Sequence, residues 1–261
     1  EFCHRGEELL DPEFVNKVRM AKEMGFGMIL VTNGLLLDNK KTDDLLSIGI
    51  DIILISCESI DPEKYVEIMQ GKADFGLLER NIDYLLSKRK DADHKTVTGI
   101  KNVFLRENIM ESDAFKKYWF DFGVDFVSFQ NEYYNDNGMF RARNQPYPIN
   151  FRRACRNLFL SLVINVDGSV QSCSVPDPDD MSVRFGTFPE KSLLDIWRGE
   201  PLKSYRESAV EGKHEDIPHC GKCTGEMCTS VLLEKSLEGD LLKSVSPSVV
   251  YFEKIDATEG G

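Results

Sequence analysis

The side chains of this 261-residue chain best suited to chemistry are its seven cysteines: Cys3, Cys57, Cys155, Cys173, Cys220, Cys223 and Cys228. Five of them fall after residue 150. Cys220 and Cys223 form a Cys-x2-Cys knuckle, whose turn directs backbone N–H groups at two sulfurs that can share one metal. Cys155 and Cys173 flank an apparent hairpin and supply a second pair from a remote segment. Four thiolates from two segments satisfy either a tetrahedral zinc or one [4Fe–4S] cluster. Cys228 follows Cys223 closely enough to be a fourth or alternative ligand. Such a centre would staple a module too poor in apolar residues to fold unaided. Cys3 and Cys57 sit in strand-like runs and read as packed thiols.

The odd cysteine count argues against an extracellular disulfide framework, and the first ten residues are acidic and polar, unlike a secretory leader. The expected location is a reducing, cytoplasmic compartment. The balance of 32 Lys+Arg against 44 Asp+Glu gives a formal charge of −12. That surface repels phosphate backbones and anionic lipid, so neither a nucleic acid nor a membrane is an expected partner. The apolar stretches are interrupted and too short to span a bilayer.

The elements that must position these residues differ between the two halves. In the first, apolar runs at 27–32 and 51–56 and the strand-like 97–105 and 124–129 alternate with helical spacing at 12–24, 41–48, 61–70, 75–88 and 111–122. Asp11-Pro12 and Asp61-Pro62 are start signals, and Gly25, Gly49 and Gly71 are stops. A further strand is expected near residue 2. Apolar strands alternating with amphipathic helices describe an α/β fold with a parallel sheet, best fitted by a barrel or part-barrel, with a doubly wound sheet as the alternative. No Gly-x-Gly-x-x-Gly follows any of these strands, which disfavours a nucleotide-binding Rossmann fold.

After Phe129 the pattern changes. Residues 131–150 are rich in Asn, Tyr and Pro without a periodic apolar run and read as a connector. Residues 160–173 read as a β-hairpin turning at Asp167-Gly168, residues 192–198 as a short helix, and 218–228 as a loop without a core of its own. The tail from Ser244 holds one apolar run, 249–252. The expected domains are 1–145, a partial (β/α) barrel; 146–235, a cysteine-rich hairpin and knuckle module; and 236–261, a tail.

The order Cys155-x12-Gly168-x4-Cys173, a gap, then Cys220-x2-Cys223 resembles the C-terminal auxiliary-cluster module, SPASM or the shorter twitch, of radical SAM enzymes. The segment 185–200 resembles the linker between that module's cluster halves. In the first half, Arg5-Gly6-Glu7-Glu8 resembles the family's Gly-Gly-Glu-Pro motif, with Arg5 in place of the first Gly and Glu8 in place of the Pro. Thr32-Asn33-Gly34 sits where the family carries the same tripeptide, and Ile55-Ser56 followed by Asp61-Pro62-Glu63 resembles its fourth strand and the next helix. The resemblance runs over roughly residues 1 to 235. The family's Cys-x3-Cys-x2-Cys loop, which holds the catalytic cluster, is not in the sequence, so an N-terminally truncated radical SAM barrel is expected.

The resemblance implies a fold, cofactors and roles. A reduced [4Fe–4S] cluster cleaves S-adenosylmethionine, and the 5'-deoxyadenosyl radical takes a hydrogen from the substrate. Glu7 matches the residue that accepts from the methionine ammonium, and Ser56 the one that contacts ribose or the methionine carboxylate. Cys155, Cys173, Cys220 and Cys223, with Cys228 as fourth or alternative ligand, match the ligands of one auxiliary [4Fe–4S] cluster. A second such cluster, S-adenosylmethionine and an electron donor such as flavodoxin or ferredoxin belong to the full-length protein. Substrates of the class are peptides, proteins and small molecules, and the expected function is an oxidoreductase or modifying enzyme, as in peptide or protein maturation. Without the cluster loop, the chain by itself is not expected to cleave S-adenosylmethionine. The competing expectation is a non-enzymatic scaffold with a structural four-cysteine zinc or iron–sulfur site.

Overall fold

The computed structural model describes residues 6–92, 95–105, 108–131, 133–136, 139–142, 155, 157–173, 184–213, 216–217, 220 and 250–253. They fall into two compact units: the described residues up to Gln130 together with 250–253, and those from Asn131 to Cys220.

The first unit runs α1 (Phe14–Glu23), β1 (Ile29–Thr32), α2 (Asn39–Ile48), β2 (Ile52–Ser56), α3 (Pro62–Ile68), α4 (Phe75–Lys88), β3 (Val97–Phe104), α5 (Ser112–Phe122) and β4 (Phe126–Asn131). β1, β2 and β3 pair in parallel, with Ile29 opposite Ile52 and Ile52 opposite Val97. The sheet order is β1-β2-β3-β4, closed on its far edge by the late strand Val250–Glu253, antiparallel to β4. The apolar run expected at 249–252 is therefore a sheet strand.

Side chains alternate along each strand, and the two faces differ. Leu30, Ile53, Ile55, Ile100, Val127 and Phe129 join one core with residues of α1, α2, α4 and α5. Ile29, Val31, Ile52, Leu54 and Phe126 are also buried but belong to the opposite face, outside that core. Among the described residues the helices of this unit pack on one face of the sheet, which describes a part-barrel, not the doubly wound alternative with helices on both faces. Burial on both faces explains why the strands read as unbroken apolar runs.

α2, α3 and α4 begin where carboxylates cap them, whereas α1 starts at Phe14, past the expected Asp11-Pro12, and α1 and α5 have no side-chain cap. Asp38, Asp61 and Asp74 accept from the first-turn N–H groups of α2, α3 and α4. Asp38 starts α2 at Asn39, two residues before the start that apolar spacing suggests. α4 buries Leu78, Ile82, Leu85 and Leu86, each worth roughly 1.5–3 kcal/mol of transfer free energy. Trp119 of α5 is fully buried among Phe75, Phe115, Tyr118 and Phe122 at edge-on angles.

The second unit is small. β5 (Tyr133–Asp136) and β6 (Met139–Ala142) pair antiparallel within the expected connector. Tyr133, Tyr134 and Phe140 with the intervening Asn137-Gly138 are a hairpin signal that the absence of periodic apolar residues hid. α6 (Asn157–Leu160) is a single turn, so the hairpin at 160–173 is shorter than expected: β7 (Val163–Ile164) and β8 (Ser169–Gln171), with β9 (Gly186–Thr187) added. Gly168 turns this hairpin at φ +82°, and a Cβ there would meet the Phe188 carbonyl oxygen at 2.3 Å. α7 (Leu193–Arg198) starts at Ser192 as expected. α8 (Glu200–Val210), signalled by Pro201 in its first turn, follows it and packs Leu202 and Ala209 onto Leu158, Val170, Phe185, Ile196 and Ile217. Among the described residues, no helix is long and apolar enough to cross a membrane.

Candidate functional site

At the C-terminal ends of the parallel strands the first unit gathers its polar groups. Gly6, at φ +110°, turns the chain into Glu7, which opens a short 3-10 turn at Glu8–Leu10. The Glu7 carboxylate accepts from Thr32 Oγ1 at 2.6 Å, the Asn33 backbone N–H at 2.8 Å and the Leu9 N–H at 3.2 Å. It thereby holds the Thr32-Asn33-Gly34 turn that ends β1. A carboxylate has about four lone-pair positions, so roughly one remains for a further donor. The turn is fixed from other sides too. Gly34 N–H donates to Thr32 Oγ1, Leu35 N–H to Asn33 Oδ1, and the buried Asn81 amide to the Gly34 carbonyl.

Ser56 ends β2, half-buried, and lies in register with Lys101 of β3. Both fall on the face away from the helices, since the intervening Ile55, Cys57 and Ile100 belong to the helix-side core. Cys57 is fully buried and donates to the Ser59 carbonyl at 3.1 Å. Burial pushes its thiol far up, so it stays protonated and serves packing.

Glu58 follows, two residues past Ser56. Burial raises its carboxyl from 4.5 to about 7, with Lys101 pulling the other way. The Glu58 backbone carbonyl accepts from Asn108 at 2.7 Å, and that side chain also donates to the Val103 carbonyl and accepts from Leu105 N–H. Asn102 donates to the Cys57 carbonyl at 3.1 Å. Two asparagines thus pin the loops that follow β2 and β3. Glu58 is not singled out by the sequence, where its one signal is its place two residues past Ser56 at the end of an apolar strand. Asn102 and Asn108 carried no sequence signal.

In the second unit, Cys155, Cys173 and Cys220 are each half-buried. Cys155 and Cys220 pack against the same apolar cluster, built on Leu158, Val170 and Ile196. Asn157, two residues after Cys155, donates to Cys173 Sγ at 3.8 Å. Ser161 Oγ lies 3.2 Å from the Asn157 carbonyl and 3.3 Å from the Ser172 carbonyl, tying the Cys155 segment to the Cys173 segment. Gln171 is fully buried, and neither its amide oxygen nor its nitrogen has a hydrogen-bond partner among the described residues. Among the described residues, no three His, Cys, Asp or Glu side chains converge as a metal-binding group. Cys3, Cys223, Cys228 and His219 lie outside the described residues. The donor chemistry fits a thiolate-bound centre: three thiols in one small unit, an amide N–H aimed at one sulfur, and a second amide left unpaired two residues from it.

Comparison with known proteins agrees with both halves. The radical SAM superfamily matches residues 2–112. The SPASM iron–sulfur cluster-binding domain matches residues 155–224, a stretch that starts at Cys155 and ends just past Cys223. The chain is 24% identical to the tungsten-containing aldehyde ferredoxin oxidoreductase cofactor-modifying protein of Pyrococcus furiosus, over 84% of this chain and 71% of that protein. It is 40% identical over 78 residues to an uncharacterized protein of Methanocaldococcus jannaschii, covering 30% of this chain and 27% of that one. The crystal structure of Streptococcus suis SuiB shares the fold, with a TM-score of 0.61 at 15% identity, covering 76% of this chain and 54% of that chain. The chain thus spans only about half of SuiB and a smaller share of the Methanocaldococcus protein. The two families imply [4Fe–4S] clusters and S-adenosylmethionine as cofactors. The part-barrel half is thus similar to the radical SAM superfamily and the cysteine module that follows it to the SPASM domain, and the two matches in this order support a radical SAM protein with a SPASM domain.

Proposed function

We propose that this chain forms the substrate-handling barrel and the auxiliary-cluster module of a radical SAM modifying enzyme. The observation that carries the reading is the Glu7 carboxylate, held by Thr32, Asn33 and Leu9 at the mouth of the parallel strands. An anion fixed by three donors, with an acceptor position to spare, suits a cationic amine such as the methionine ammonium. When bound, S-adenosylmethionine and a reduced [4Fe–4S] cluster supply a 5'-deoxyadenosyl radical.

The chain's own residues would bind, orient and exclude water. Glu7 orients the amine end, and Ser56 offers a hydroxyl on the inner face of the sheet. Glu58, whose carboxyl titrates at about 7, can hold or release a proton beside Lys101 at the same mouth. Cys155, Cys173, Cys220 and Cys223 would ligate one auxiliary cluster, with Cys228 as an alternative ligand. Four cysteines leave no open iron, which suits electron relay over direct substrate binding. The Pyrococcus relative is named a cofactor-modifying protein. By that likeness the reaction here is the modification of a bound substrate, be it a peptide, a protein or a small molecule, with electrons from a flavodoxin- or ferredoxin-like donor.

Anaerobic reconstitution with iron and sulfide tests this reading. The chain should turn brown and bind about four irons per auxiliary cluster. Changing Cys155, Cys173, Cys220 or Cys223 to Ala should remove that iron. A colourless protein that takes one zinc and no iron overturns the reading in favour of a structural scaffold. Calorimetric titration with S-adenosylmethionine should show weakened binding in Glu7→Gln, and equal binding would remove Glu7 from the assignment.

A further inference from the structure

We propose that Asn157 and Gln171 form a pair of carboxamide donors to the sulfur atoms of the auxiliary centre, and that they raise its reduction potential. The proposal rests on the cysteine module holding an iron–sulfur cluster, as argued above. Three observations carry it. Asn157 already donates to Cys173 Sγ at 3.8 Å. The turn that bears Asn157 is fastened to the Cys173 segment through Ser161, so the amide is held in place without metal. Gln171 is fully buried with both amide atoms unpartnered among the described residues.

A buried amide without partners is costly, and such groups in folded proteins call for an explanation. Position supplies one. Val170 faces the apolar cluster of the unit, so Gln171 faces the other way. Cys173 follows Gln171 by two residues, just past the end of β8 and the bend at Ser172. Cys173, unlike Cys155 and Cys220, is not packed on the apolar cluster. The unpaired Gln171 amide is therefore two residues along the chain from the sulfur that Asn157 already contacts, and makes no hydrogen bond to it itself. Hydrogen bonds to cluster sulfurs stabilise the more negative, reduced state and shift the potential upward.

The test is a redox titration of the reconstituted full chain, read by visible absorption and by the electron paramagnetic resonance of the reduced cluster. Gln171→Met keeps length and removes the donor, and Gln171→Glu replaces it with an anion. The potentials should fall in the order wild type, Met, Glu. The Met variant should shift the reduction equilibrium by about tenfold, equivalent to about 59 mV for a one-electron couple. Asn157→Leu, at a half-buried position, should lower the potential in the same direction and covers the case in which the Gln171 variants fail to fold.

Unchanged potentials at full iron content overturn the proposal and leave Gln171 a structural amide, whose change to Met would only stabilise the apoprotein. Absence of iron from the wild-type chain sinks the iron–sulfur reading itself, and this proposal falls with it.

Discussion

Replacing Glu58 by Gln should change how the stability of the first unit depends on pH. Burial at the strand ends raises this carboxyl from 4.5 to about 7, despite the favourable charge of Lys101. In the unfolded chain it returns to its ordinary value. Between those two values the folded state holds more proton than the unfolded state, so stability falls as pH rises through the window. Below it the side chain is neutral in both states and contributes no penalty. Above about pH 7 the ionised group bears the full cost, about 3 kcal/mol at 1.36 kcal/mol per pKa unit. Gln matches the shape of the protonated acid without a charge to desolvate. E58Q should therefore be more stable than the parent by about 3 kcal/mol above pH 8, roughly two orders of magnitude in the unfolding equilibrium, and equal to it below about pH 4. Urea unfolding followed by the fluorescence of Trp119, buried in the same unit, measures the difference at each pH. A difference that stays constant with pH refutes the reasoning. E58Q being the less stable protein above pH 8 also refutes it, because the carboxylate would then be held by Lys101 more strongly than burial penalises it.

Other perturbations address the scaffold of the same mouth. Gly34→Ala puts a Cβ 2.6 Å from Leu78 Cδ1 at φ +75°, and a loss of at least 1–3 kcal/mol is expected in thermal unfolding. Gly99→Ala drives a methyl into the Phe126 ring, within 2.2–2.5 Å of its carbons, and should cost about 1–3 kcal/mol by overpacking. Phe126→Leu in the same chain should recover part of that loss, and the double-mutant cycle reads the coupling. Asn108→Ala removes donors to the Glu58 and Val103 carbonyls and an acceptor for Leu105 N–H, and should cost about 2–3 kcal/mol. Its clearest sign should be faster hydrogen exchange at Leu105, whose N–H the side chain protects.

What could be read from the sequence divides along a physical line. The strands of the first unit are buried on both faces, so their unbroken apolar runs are a direct record of the parallel sheet. Asp61 announced a helix start because capping uses a side chain whose type is visible in the sequence. The pairing of β5 with β6 is not legible in the sequence because these strands show no periodic apolar face. The strand at 250–253 was visible as an apolar run, but nothing local says that it pairs with β4, some 120 residues earlier.

The same division separates the groups of the candidate site that could be named from those that could not. Glu7, Ser56 and the cysteines carry functional groups whose chemistry is particular, and a motif can single them out. Asn102, Asn108, Asn157 and Gln171 are amides, common in any loop, and their importance lies wholly in where the fold puts them. Asn108 reaches two carbonyls and an N–H from three different residues, which only the meeting of the loops after β2 and β3 makes possible. Gln171 stands out only because a fully buried amide has nothing to bind among the described residues. A polar side chain that the fold isolates from water and leaves unpaired contradicts the local rules of stability. The most economical resolution is a partner supplied with the cofactor, and Cys173, two residues away, is the group to which that cofactor would be attached.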